Sequence, residues 1–128
     1  MRVLLDTHVL LWWLGEPERL SPKARKVLED NTNELHWSIV GTWEIGLKLS
    51  KGKLKLPLPL DEYLESRLVQ SGKRQLPLLP QHVYAMLELP AHHGDPFDRT
   101  LIAQAQAERL GIVSADRAFT RYAVPTIW

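Results

Sequence analysis

Four acidic side chains, far apart in the chain, could together support metal-dependent chemistry. Asp6 ends an apolar run, Asp116 comes shortly after another, Asp98 lies at a helix start, and Glu44 lies within a helical segment. Carboxylates within about 6 Å of one another repel, and a divalent cation relieves that repulsion. Oxygen-only ligands favour Mg²⁺ or Mn²⁺ over zinc. Ions held in this way can activate water and stabilise charge on a phosphoryl group.

The run that precedes Asp6 predicts a β-strand. Val3, Leu4 and Leu5 are too few for a helix, and such a run is typical of a strand buried on both faces of a parallel sheet. Ligands of open α/β sheets bind at the carboxyl ends of the strands, which is where Asp6 would lie. Aspartate is also a favoured helix N-cap, so a purely structural role for Asp6 stays open.

Strands and helices alternate along the chain, which predicts one α/β domain over residues 1–128 with a mostly parallel sheet. Further strands are predicted at residues 35–38, 76–79, 112–114 and 124–128. Helices are predicted at residues 7–14, 22–28, 40–49, 61–70, 80–89, 96–110 and 116–122. Pro77 would confine its strand to an edge of the sheet.

The helix that begins near residue 96 has the clearest start signal. Asp95 suits the N-cap and Pro96 the first helical position, and we expect the helix to stop at Gly111. Capping explains Asp95 fully. Asp98 lies in the first turn, where its negative charge interacts favourably with the helix dipole. Its side chain could also reach the sheet edge.

Strand ends and the starts of crossover helices face the same edge of a parallel sheet. Asp6, Asp98 and Asp116 could therefore converge there, and Glu44 could join them. The structural alternative is that the aspartates are only helix caps. Ser114, at a strand end, is expected to hydrogen-bond a carboxylate or a metal-bound water, or to make a purely structural hydrogen bond.

Several other polar or aromatic residues are weaker candidates. Arginines beside the acids, and a group of lysines, could contact phosphates. We expect the tryptophans to pack in the core by default, with a partner surface as the alternative. The histidines lack metal-ligand spacing and are interpreted as loop or packing residues. These residues are Arg99, Arg117 and Arg121; Lys48, Lys51, Lys53 and Lys55; Trp12, Trp13 and Trp43; and His8, His92 and His93.

Composition and charge limit the possible classes of protein. The net charge is +1, so nucleic acid would have to be bound through a local patch or through metal ions rather than by overall charge. There is no cysteine, hence no disulfide and no thiolate metal site, which suits a cytoplasmic protein. No apolar run approaches the roughly 20 residues of a membrane span, and no signal peptide is expected.

The chain resembles the PIN-domain endoribonucleases, specifically the VapC-type toxins of bacterial toxin–antitoxin pairs. The matching stretches are in family order and cover nearly the whole chain, and Ser114 keeps the hydroxyl where the family often has threonine. They are Leu4-Leu5-Asp6-Thr7-His8, Thr42-Trp43-Glu44-Ile45 leading to Lys51-Gly52-Lys53-Leu54, Asp95-Pro96-Phe97-Asp98-Arg99 with Leu101-Ile102-Ala103-Gln104-Ala105, and Ser114-Ala115-Asp116 with Phe119.

The resemblance implies a three-layer α/β/α fold and cleavage of RNA by metal-activated water. It implies an acidic pocket that binds Mg²⁺, with Mn²⁺ as a possible substitute, formed by Asp6, Glu44, Asp98 and Asp116. We expect Asp6, Asp98 and Asp116 to hold the metal and Glu44 to help hold it or to orient the water. Ser114 and Arg99 would support them. The resemblance also implies inhibition by a cognate antitoxin and often a homodimer.

Two other functions remain possible at this point. The chain could be a catalytically silent module that only holds RNA or a partner protein, which the near-neutral charge mildly favours. A metal-dependent phosphatase with a similar sheet is disfavoured, because a second aspartate is expected two residues beyond Asp6 and His8 lies there instead.

Overall fold

The computed structural model describes residues 1–128, which form five strands and six helices. The strands are β1 (Arg2–Leu5), β2 (Glu34–Ser38), β3 (Arg74–Leu76), β4 (Gly111–Val113) and β5 (Thr126–Ile127). The helices are α1 (Thr7–Gly15), α2 (Pro22–Glu29), α3 (Ile39–Ser50), α4 (Leu60–Leu64), α5 (Pro80–Leu87) and α6 (Pro96–Glu108). None of the helices has the length and apolar character needed to cross a bilayer.

The strands form a single parallel sheet in the order β3-β2-β1-β4-β5, which confirms the predicted architecture. β1 lies at the centre. Its last residue, Leu5, pairs in register with Trp37 of β2 and Val113 of β4. The carboxyl ends of these three strands therefore lie at the same level, and Asp6 and Ser114 follow directly at that edge.

Helices cover both faces of the sheet. Side chains of a strand alternate between faces, and β1 accordingly sends Val3 and Leu5 into one core cluster and Leu4 into another. The first cluster contains apolar residues of α1 to α4, and the second contains residues of α6 and Phe119. The result is the expected three-layer arrangement, with β1 buried on both faces.

Serine side chains begin two of the helices. The Ser21 hydroxyl accepts a hydrogen bond from the Ala24 amide at 3.0 Å, and Pro22 occupies the first helical position. The Ser38 hydroxyl accepts from the Val40 amide at 3.0 Å and so begins α3. These caps set where α2 and α3 start after their preceding segments.

The predicted end of α6 is wrong. The helix ends at Glu108, and Arg109 takes the left-handed conformation with φ of 56°. Gly111 instead opens β4, where an added Cβ would lie 3.5 Å from the Pro125 carbonyl oxygen. Glycine is a common helix stop signal, but here Gly111 allows close strand packing and Arg109 makes the turn.

Two further element boundaries differ from prediction. The strand expected at residues 76–79 is Arg74–Leu76. It ends before Pro77, which has no backbone N–H to donate. Its position at an edge of the sheet is confirmed. The helix expected at residues 61–70 is α4 followed by a π-helical turn at Glu65–Val69.

The tryptophans only partly follow the expectation of core packing. Trp12 and Trp13 are half-buried and pack against the first core cluster. Trp43 is 59% exposed and lies edge-on to Phe97, with 5.1 Å between ring centroids. The core prediction is wrong for Trp43, whose helix turns this side chain outward.

Candidate active site

Asp6 lies directly after β1 and is almost fully buried, with 4% of its surface exposed. It precedes α1, yet its carboxylate makes no capping hydrogen bond to that helix. Instead, the Ser114 hydroxyl donates a hydrogen bond of 2.7 Å to Asp6 Oδ2. The capping alternative is therefore not observed, and a neighbouring strand end holds the carboxylate.

Ser114 links two of the acidic positions. Besides donating to Asp6, its hydroxyl accepts a hydrogen bond from the Asp116 amide at 3.0 Å. The exposed Asp116 carboxylate accepts from the Ala118 amide at 2.9 Å and caps the short 3₁₀ helix Arg117–Arg121. Asp116 thus caps this helix through Oδ1, while its backbone is tied to the Asp6 site.

Two aspartates at the start of α6 have different surroundings. Asp95 Oδ1 accepts hydrogen bonds from the amides of Phe97 and Asp98, at 2.9 and 3.1 Å, and is the N-cap as predicted. Asp98 lies one turn further on, and its side chain is only 16% exposed. Because Asp95 already caps the helix, the Asp98 carboxylate is free for another role.

The four acids act on one another electrostatically. Burial is the main cause that raises the pKa of Asp98 from 3.8 to about 8. The negative charges that raise it further are those of Asp6, Asp95, Glu44 and Asp116. The sheet and its crossover helices thus bring Asp6, Glu44 and Asp116 within electrostatic reach of Asp98.

Burial also raises the pKa of Asp6. The hydrogen bond from Ser114 and the charge of His8 oppose this shift, whereas the charge of Glu44 adds to it. Both central aspartates are therefore destabilised as anions in the protein alone. A cation bound among them would remove this electrostatic cost.

Glu44 points into the interior from the second turn of α3 and is 9% exposed. Its Oε2 lies 3.5 Å from the Lys48 ammonium, whereas its Oε1 is buried without a hydrogen-bond partner. An unpartnered buried carboxylate oxygen is costly unless a ligand or ion satisfies it.

Gly41 allows α3 to approach α1 closely. A Cβ at this position would come within 3.1 Å of the Thr7 hydroxyl, which follows Asp6. Contacts of this length are tighter than normal packing, so with a larger residue the Thr7 side chain would have to shift by a few tenths of an ångström. The glycine in this helix start therefore allows α3 to pack closely against the residue that follows Asp6.

The four acids have the donor atoms that a divalent cation requires, but their side chains are not arranged around a common ion position. Across residues 1–128, no three acidic or histidine side chains are already arranged to hold an ion together. The unpartnered Glu44 oxygen and the raised pKa of Asp98 nevertheless fit a cation. The donors are all carboxylate oxygens, which suits Mg²⁺ or Mn²⁺.

Arg99, a candidate for phosphate contact, is engaged elsewhere. Its guanidinium donates hydrogen bonds to the carbonyls of Pro90, Met86 and Leu89, at 2.8, 3.1 and 3.2 Å. It also reaches the Tyr122 hydroxyl at 3.4 Å. These bonds tie the end of α5 and the following loop to α6, which favours a structural role.

Two residues near the acids had no clear signal in the sequence. The Lys48 ammonium approaches Glu44 through i,i+4 spacing, which the sequence shows but which is common on helix surfaces. His93 Nε2 lies 3.7 Å from Asp98 Oδ2, and its Nδ1 lies 2.9 Å from the Tyr122 hydroxyl. A loop histidine cannot be placed beside a helix start without the fold.

Known proteins share this architecture. Ribonuclease VapC22 from Mycobacterium tuberculosis (strain ATCC 25618 / H37Rv) is 29% identical over 130 residues, which cover 98% of each chain. The VapBC2 complex from Rickettsia felis, bound to a promoter DNA fragment, matches with a TM-score of 0.72 and 17% identity over 98% of this chain and 97% of that one. FitAcB from Neisseria gonorrhoeae matches with a TM-score of 0.63 and 22% identity, over 98% and 96%.

The family itself is identified from the sequence as a whole. A model of the PIN domain matches residues 3–125, from β1 to the residue before β5. This match confirms the resemblance stated from the motifs around the four acids. The chain belongs to the PIN-domain family.

Proposed function

We propose that this protein is a metal-dependent endoribonuclease and the toxin of a toxin–antitoxin pair. The observation that carries the proposal is the gathering of Asp6, Glu44 and Asp98 at the carboxyl edge of the sheet, where Asp98 has a pKa of about 8. Its similarity to a protein named as a ribonuclease supports RNA as the substrate class.

The four acids take two parts in this proposal. Asp6, Asp98 and Asp116 hold Mg²⁺, for which Mn²⁺ can substitute, and Glu44 helps to hold it or orients the attacking water. The metal ion, when bound, activates water and stabilises charge on the phosphoryl group during in-line displacement. Ser114 fixes the Asp6 carboxylate through its 2.7 Å hydrogen bond, so one carboxylate oxygen keeps its direction.

The proposal includes two kinds of protein partner, an antitoxin and a second copy of this chain. The solved relatives are toxin–antitoxin complexes, which supports a cognate antitoxin as a partner. Trp43, Ile39 and Leu78 are exposed and line a shallow apolar groove of about 460 Å³. We propose that this surface pairs two copies of the chain, since large exposed apolar side chains that lie together favour protein contacts.

RNA cleavage in the presence and absence of Mg²⁺ tests the proposal. Purified protein should cleave RNA with Mg²⁺ and lose this activity in EDTA. Asp6→Asn and Asp98→Asn should each abolish cleavage while the protein stays folded. Glu18→Gln, which changes an exposed acid without an ion pair, is the matched control and should retain activity.

The outcomes separate an enzyme from a binding module. Cleavage that survives EDTA or both aspartate substitutions would contradict the proposal. Saturable RNA binding without product, with Mg²⁺ present, would favour the catalytically silent module instead.

A further inference from the structure

A groove beside the acidic pocket has a different chemical character. It is a cavity of about 550 Å³ between α1, the end of α3, the loop at residues 51–57 and the π-helical turn after α4. We call it the basic groove, and its lining includes His8, Trp12, Arg19, Lys48, Lys53 and Lys55. Its volume lies within the range, roughly 300–1,000 Å³, of pockets that enclose small ligands, which is enough for a nucleotide.

The charge of the groove is strongly one-sided. Arg67 is a further cation in its wall, and Glu16 is its one acid, which Arg19 already pairs at 3.0 Å. Lys53 and Lys55 are exposed and make no ion pair. The chain as a whole carries a net charge of only +1, so this groove is a local concentration of positive charge.

The loop that carries these lysines is built so that they face outward. Leu54 and Leu56 alternate with them and pack against the first core cluster. The apolar side chains anchor the loop, and the alternation leaves Lys53 and Lys55 exposed on the groove wall. The loop at residues 51–57 contains no helix or strand.

Aromatic rings line the wall formed by α1. His8 and Trp12 lie one turn apart with ring centroids 6.0 Å from each other, and Trp128 lies 5.9 Å from Trp12. The Arg19 guanidinium covers Trp12 at 4.7 Å from the ring centroid. Flat rings next to unpaired cations are the combination that binds single-stranded nucleic acid, through base stacking and phosphate contacts.

The groove begins at the rim of the acidic pocket. His8 lies two residues after Asp6, and Lys48, which lines the groove, lies 3.5 Å from Glu44. If an RNA chain places a phosphate at the acids, its neighbouring nucleotides therefore lie along α1.

We propose that the basic groove binds the single-stranded RNA segment next to the scissile phosphate. One base stacks on His8, another displaces the Arg19 guanidinium from the Trp12 ring and stacks there, and Lys53 and Lys55 contact the phosphates. This inference rests on the proposed ribonuclease function. Stacking requires unpaired bases, so the groove selects single-stranded regions over duplex RNA.

The test is RNA binding with cleavage switched off. All proteins carry Asp98→Asn, and the probe is a fluorescein-labelled ten-nucleotide oligoadenylate, followed by fluorescence anisotropy in Mg²⁺ at several salt concentrations. Lys53→Glu with Lys55→Glu should weaken binding at least about tenfold and lower the salt dependence, the slope of log K against log salt, by about 1 to 2. Lys23→Glu with Lys26→Glu, on the exposed face of α2, is the matched charge control and should change neither value.

Trp12 supplies an independent arm of the test. Trp12→Leu should weaken binding about tenfold without changing the salt dependence, since stacking involves no phosphate charge. Trp12→Phe should restore most of the loss, which separates stacking from a folding defect. An RNA duplex of the same length should bind the groove variants and the Lys23/Lys26 control with equal affinity.

The outcomes distinguish this inference from the ribonuclease proposal. If the groove variants bind the oligonucleotide as the Lys23/Lys26 control does, while the protein with native Asp98 cleaves RNA, the groove inference is wrong and the enzyme stands. If they lose the antitoxin but not RNA, the groove is a protein site and the inference is also wrong. Loss of RNA binding in the groove variants supports the groove even if no cleavage is found.

Discussion

Two groups of polar side chains lie in or beside α6. They differ in how many of their polar atoms have a hydrogen-bond partner. The Arg99 guanidinium reaches three carbonyls and a hydroxyl, and both ring nitrogens of the fully buried His82 are bonded, to the Leu79 amide and to Glu108. In the acidic pocket, by contrast, Glu44 Oε1 has no partner and Asp98 has its pKa raised to about 8.

The difference shows how structural and functional polar groups can be told apart. A polar group that stabilises the fold gains from complete pairing, because each unpaired buried atom costs free energy. A group kept unpaired and close to like charges destabilises the protein alone, and this cost is compensated when a ligand binds. Arg99 and His82 belong to the first kind, and Glu44 and Asp98 have the features of the second.

The largest expected effect is loss of activity with no loss of stability. Asp98→Asn removes a carboxylate that its neighbours repel, so the free energy of unfolding in EDTA should stay equal or rise. RNA cleavage should fall by more than about 100-fold, since even the outer partners of a bound metal contribute factors of 10 to 100. Urea unfolding and cleavage assays on the same preparation measure both quantities, and a large loss of stability would contradict the comparison.

The satisfied network should respond in the opposite way. Arg99→Ala leaves the carbonyls of α5 and its following loop without their donor, and the free energy of unfolding should fall by about 2–4 kcal/mol. Cleavage per folded molecule should change little. Arg121→Ala, at an exposed arginine, is the control and should lie within about 0.5 kcal/mol of the starting protein.

The same contrast explains what could be read from the sequence. The strand before Asp6, the Ser21 and Asp95 caps and the parallel sheet follow from local patterns, whose physical causes lie within a few residues. The role of Arg99 does not, because its acceptors are carbonyls set by where α5 ends. Arg109 in the left-handed conformation and the exposure of Trp43 likewise depend on tertiary packing that no local pattern encodes.

The site shows the same division between local and tertiary information. The four acids could be chosen by their places after strands and at helix starts. The packing of α1, α3 and the loop at residues 51–57 determines which of the acids is buried. It also places Lys48 between the acidic pocket and the basic groove. Lys53 and Lys55 are phosphate candidates from the sequence, but only the fold shows that neither of them makes an ion pair.

A smaller effect is expected on the pH dependence of stability in the metal-free protein. The pKa of Asp98 is about 8 in the folded state and near 3.8 when unfolded, so the folded state binds its proton more tightly. The free energy of unfolding should therefore decrease as the pH rises from about 4 towards 8. Comparing urea unfolding at several pH values in EDTA, the Asp98→Asn variant should show a flatter profile; equal slopes would exclude Asp98 as the cause.

The smallest effect concerns the hydrogen bond from Ser114 to Asp6. Ser114→Ala removes the donor to buried Asp6, and the free energy of unfolding should fall by about 1–2 kcal/mol with a moderate loss of cleavage. Ser114→Thr keeps the hydroxyl and should preserve most of both properties. If the alanine variant lost stability but cleaved RNA normally, the hydrogen bond would be structural only, and Ser114 would belong with Arg99 rather than with the acids.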